Sequence, residues 1–103
     1  MRTDTIEEIG IDDDGPLWVK PATATFPYIY REAMDVHWDA ERLRLHSPKP
    51  RDWSYVDWFK QIRAAAYEQG VELRLEPTTS WLNIDANLKQ TIAASAVGRP
   101  IRP

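Results

Sequence analysis

There is no cysteine in these 103 residues, which excludes disulfides, thiolate metal sites and a cysteine nucleophile at once. Nor is there an excess of positive charge: 13 Lys and Arg stand against 16 Asp and Glu, a formal net charge of −3. A duplex-binding domain of this size carries a basic stripe, and none is visible. No apolar run approaches the ~20 residues of a membrane-spanning helix. Met1-Arg2-Thr3-Asp4 leads straight into acidic residues, so no signal peptide is expected, and a cytoplasmic location is. A glycine-rich phosphate loop, a nucleophile elbow, an HExxH helix and a dinucleotide fingerprint are all missing. No catalytic set can be assembled and no cofactor is implied, which weighs against an enzyme.

What is abundant is tryptophan, five in a chain that is 43% hydrophobic. That is a globular composition, and the length suffices for a core without covalent help. One domain is expected over residues 1–97. The last residues, Gly98-Arg99-Pro100-Ile101-Arg102-Pro103, have no periodicity and are expected to form a mobile tail over 98–103.

The segment Val36–Ser47 folds itself on paper. With Trp38 opposite Leu43, Val36 meets Leu45 and Met34 faces Ser47. The same register sets Asp39 against Arg42, His37 against Arg44 and Asp35 against His46. One face is then apolar and the other charge-matched, as a half-buried antiparallel pair should be. An earlier hairpin turns at Asp13-Asp14-Gly15, pairing Ile11 with Leu17, Ile9 with Val19 and Glu8 with Lys20. Four aliphatics share one of its faces, while Trp18 covers the strand glycine Gly10 on the other. Pro21–Pro27 reads as an extended connection or an edge strand.

Ser54 is an N-cap with Asp57 three residues on, a variant capping box, and Trp53 and Trp58 are spaced as a hydrophobic staple. Tyr55, Trp58, Phe59, Ile62, Ala65 and Ala66 follow helical spacing, with Asp57, Lys60, Gln61, Arg63 and Glu68 outward, and Gly70 ends the helix. Val71–Glu76 alternates as a strand, Trp81 and Leu82 lie in a turn, and Asp85 caps a second helix facing inward with Leu88, Ile92 and Ala96. The order β-β-β-β-α-β-α predicts an α+β fold: a mostly antiparallel sheet of about five strands with two helices packed on one face.

Asp12-Asp13-Asp14-Gly15 resembles the start of a calcium loop, but its twelfth position is Thr23 and its flanks are strands, so a turn is the reading and no metal is expected. Both histidines fall on the polar face of the second hairpin. Asp35, His37, Arg44 and His46, with Trp18 as a wall, are the candidate ligand-binding residues. The alternative is a solvated face of matched charges. Two histidines and Asp35 make a thin zinc set, since zinc usually takes at least three protein ligands. Trp18, Trp53 and Trp81 lie off the apolar faces, where they line a pocket, a subunit contact or a second packed layer. Stacking of single-stranded nucleic acid is disfavoured by the interleaved Asp35, Asp39, Asp52 and Asp57.

The stretches Val36-His37-Trp38-Asp39, Trp53-Ser54-Tyr55-Val56-Asp57-Trp58-Phe59 and Trp81-Leu82-Asn83-Ile84 resemble those of small uncharacterised bacterial proteins carried on mobile integron gene cassettes. That resemblance implies a compact cytoplasmic α+β domain in an accessory role, often a homo-oligomer. It brings no functional motif and no catalytic residue. Three readings stand side by side. The first is a self-associating interaction module, a homodimer or higher homo-oligomer. The second is a small-molecule-binding protein or modest enzyme with its polar site around His37 and His46. The third is an immunity or antitoxin-like partner of another protein. Neither nucleic acid nor membrane is an expected partner.

Overall fold

The computed structural model describes residues 1–96. The expected tail over 98–103 lies outside them. A long strand, β1 (Arg2–Ile11), is the spine of a mixed six-stranded sheet; β2 (Leu17–Pro21), β3 (His37–Asp39) and β4 (Arg44–His46) add to one of its edges in the outward order β2, β4, β3. Its other edge carries β5 (Val71–Arg74) beside residues 2–5 and β6 (Ser80–Leu82) beside residues 8–10, both parallel to it. The remaining three pairings are antiparallel. The fold is therefore α+β with a mostly antiparallel sheet, as expected. The helices α1 (Tyr55–Glu68) and α2 (Ala86–Ser95) complete it.

The first hairpin has the expected register: Ile11 faces Leu17, Gly10 faces Trp18, Ile9 faces Val19 and Glu8 faces Lys20. Gly15 takes a left-handed φ of 110° in its turn, where a side chain would be strained. Between Ile6 and Glu8 the register slips in a bulge. Past Pro21 the chain runs as an irregular connection rather than an edge strand. Asp4 holds it there, accepting hydrogen bonds from the backbone N–H groups of Thr23 (3.0 Å) and Ala24 (2.8 Å). Burial alone would push the Asp4 carboxyl up, but these donors and the Thr23 hydroxyl together keep it below its ordinary value.

The second hairpin departs from the sequence reading. His37 faces His46, Trp38 faces Leu45 and Asp39 faces Arg44, a slip of two residues. Such a slip preserves which face every side chain occupies, so the apolar pattern could not choose between the registers. The turn chose. Asp39 Oδ1 accepts from the backbone N–H groups of Glu41 and Arg42, both at 3.0 Å, and Arg42 closes an ion pair on Oδ2. Leu43, expected inside, stands half exposed in the loop with a left-handed φ of 57°. Met34 is outside as well, in a turn that follows a single 3-10 turn at Ile29–Arg31.

Both start signals of α1 operate: Ser54 and Asp57 form the reciprocal capping box, and the Trp53 and Trp58 rings pack at 4.8 Å. Its apolar stripe (Trp58, Phe59, Ile62, Ala65, Ala66) meets the sheet in one continuous core with Ile6, Ile9, Leu17, Val19, Leu45 and Leu73. Arg63 corrects the expected outer face: it is 3% exposed. The physical reason is α2, which folds back onto α1, buries Ile92 and covers that flank. The turn expected at Trp81–Leu82 is instead β6, too short for alternation to reveal it.

Candidate functional site

Because strand side chains alternate, residues in register share a face. Leu82, Gly10, Trp18, His46 and His37 therefore form one row across β6, β1, β2, β4 and β3, on the face away from the helices. Gly10 is required there: a Cβ at that position would sit 2.4 Å from the Trp18 ring. Arg44 covers the other side of the indole at 4.3 Å and reaches on to Asp12 at 3.2 Å. Trp18 is thus a packed layer within one chain, 5% exposed, with both of its faces occupied.

Four of the five candidate residues, Trp18, His37, Arg44 and His46, do share this face. Asp35 is elsewhere, exposed in the turn before β3, where with Pro48, Trp53 and Trp58 it lines a separate recess of about 390 Å³. The two imidazoles lie side by side, ring centres 5.4 Å apart. Among the described residues neither has a hydrogen-bond partner and no three potential ligands converge on a metal position. A general base needs a group to orient it, and the described residues around this pair supply none.

Concavity lies on the other side of the spine. Between β5 and β6 the chain leaves the sheet for residues 75–79, opposite the bulge of β1. Thr79 pins the detour: its hydroxyl donates to the Ile6 carbonyl (2.6 Å) and accepts from the Glu76 N–H (3.0 Å). The detour, α1 and α2 enclose an open groove of about 720 Å³. Leu75, Pro77, Ala93 and Trp81 supply apolar wall, and Lys89 stands 5.4 Å over the Trp81 ring.

Arg63 reaches this groove from α1. Its Nε donates to the Leu73 carbonyl at 3.0 Å, the only hydrogen bond of its guanidinium among the described residues. Burial pushes the guanidinium below its ordinary value, Glu72 works against that and Arg74 adds to it. An arginine stays cationic under such a shift. The carboxylate of Glu72 is itself hydrogen-bonded to Arg74. Sequence reasoning missed Arg63 because helical spacing placed it among polar neighbours. One signal was available: Ala64-Ala65-Ala66 follows directly, and a helix that is small on every side is packed on every side.

A spine strand flanked by hairpins on one edge and parallel returns on the other, with two helices on one face and an open groove beside them, defines a small α+β protein with a mixed, mostly antiparallel sheet. The chain belongs to the Hfx_Cass5 integron cassette protein family, whose description matches residues 4–79. Among solved structures it is similar to the integron cassette protein Hfx_Cass5 from the mobile metagenome of the North West Arm sewage outfall. The two are 46% identical over 95% of this chain and 99% of that one, with a TM-score of 0.48. No curated protein matches. The likeness to mobile-cassette proteins read from the three tryptophan-bearing stretches is thereby borne out.

Proposed function

We propose that this is an accessory binding protein, acting in the cytoplasm, that holds a small molecule in the groove between the β5–β6 detour and the two helices. The observation that carries this reading is the groove itself. At about 720 Å³ it has the size of small-molecule sites, and it mixes apolar wall with a few convergent polar groups. The histidine face, by contrast, is filled by the Trp18–Arg44 layer. The test is a fragment screen on the full chain by proton–nitrogen correlation NMR. Binders should shift the amides of Leu75, Thr79 and Ala93. A screen whose hits all map to His37 and His46 would move the site back to the outer face and remove this reading.

Self-association is the second reading, and one feature favours it. The three-residue β3 is an open sheet edge, and beside it Tyr28, Tyr30 and Met34 are exposed, with Arg31 stacked 4.7 Å over the Tyr28 ring. A symmetric dimer would bury this patch. Light scattering that returns the mass of a single chain at concentrations of tens of micromolar would discard it. No helix among the described residues is long and apolar enough to cross a membrane.

A further inference from the structure

We propose that the groove selects a monoanion, a carboxylate carried on an apolar body, with Arg63 as the group that receives it; this rests on the groove being the binding site. Arg63 is a nearly sealed cation that forms no ion pair among the described residues. Among the described residues no carboxylate lies within ion-pair distance of it, and the neighbouring Glu72 is committed to Arg74. A buried charge without a partner is costly, whereas the same charge paired by an incoming anion is strongly held. Its forked, planar donors suit the two oxygens of a carboxylate.

The charge of the ligand follows from the lining. Arg63, Arg74 and Lys89 stand against Glu72 and Glu76, a formal surplus of one positive charge. One negative charge balances that surplus, and a phosphate dianion would meet the exposed Glu76 carboxylate with a charge to spare. The body of the ligand follows from the space. A free inorganic ion fills only a small part of about 720 Å³, and the rest is walled by Leu75, Pro77, Ala93 and Trp81. Lys89, exposed and already over the indole, is placed to follow the head group as it enters. The ligand is thus anionic at one end and apolar along its length.

The experiment uses the full chain and four probes of one shape: naphthoate, naphthylmethanol, naphthylmethylammonium and naphthyl phosphate. Affinities come from calorimetry and locations from amide shifts. Naphthoate should shift Leu75, Thr79 and Ala93 and bind about tenfold or more tighter than the neutral alcohol, the scale of a charge-assisted hydrogen bond. Arg63→Met, which keeps the side-chain volume, should erase that preference while leaving the alcohol unchanged. Lys89→Met, at an exposed position, should reduce it by a smaller factor. If the alcohol or the ammonium binds as well as naphthoate in the groove, the ligand class is wrong and the groove reading survives. Tighter binding of naphthyl phosphate would overturn the single-charge assignment. If no probe shifts the groove amides, both readings fall together.

Discussion

Replacing Gly10 by alanine should destabilise this protein far more than a single methyl group suggests. The added Cβ would lie 2.4 and 2.7 Å from two atoms of the Trp18 ring and 2.9 Å from the Leu82 carbonyl oxygen. Comfortable carbon contacts begin at about 3.5 Å, so the indole has to retreat by roughly 1 Å. It has nowhere to go, because Arg44 holds its outer side and is itself anchored on Asp12. Nor can the carbonyl yield easily, since Leu82 belongs to β6 and is paired with Gly10. Overpacking of a tight layer costs about 1–3 kcal/mol, and two immobile neighbours place this case near 3. That is a large share of the roughly 5–15 kcal/mol by which such domains are stable. Urea unfolding followed by circular dichroism measures it directly. Trp18→Ala alone should cost about 3–5 kcal/mol, and the double variant should cost less than the sum by at least about 1 kcal/mol, because the clashing ring is gone. A Gly10→Ala variant within about 0.5 kcal/mol of the parent, or additive single changes, would refute the packed outer layer.

Leu43→Asn separates the two hairpin registers: in the observed loop it relieves a left-handed leucine and should stabilise by a few tenths to about 1 kcal/mol, whereas a leucine facing Trp38 would lose core contact and destabilise. Equilibrium unfolding decides the sign. Asp4 has a folded pKa below its ordinary value of 3.8, so its stabilisation is complete above that value and lost as pH falls through the depressed one. Asp4→Asn should cost about 1.5–3 kcal/mol near neutral pH and flatten the acid limb of a stability–pH profile; parallel profiles would contradict the carboxylate clip. Ser54→Ala should cost about 1 kcal/mol in thermal unfolding by breaking the capping box, and no change in the midpoint would mean the cap is idle.

Local signals carried a good deal of this protein. The register of the first hairpin, the capping box at Ser54, the staple of Trp53 on Trp58, the stop at Gly70 and the inward position of Ile92 were all legible, because each depends on residues a few positions apart. Alternation likewise told which face His37 and His46 occupy, and the glycine under Trp18 could be named from pairing alone. What the tertiary structure decided depends on partners distant in the chain. A slip of two residues leaves a strand's faces unchanged, so only the Asp39 turn could select the second hairpin's pairing. Three residues are too few to show a period, so β6 emerges only against β1. Arg63 reads as a surface residue until α2 closes over it. That closure turns an ordinary helical arginine into the buried cation beside the groove, and no spacing rule within α1 could foretell it, because the covering residues lie some thirty positions further along the chain.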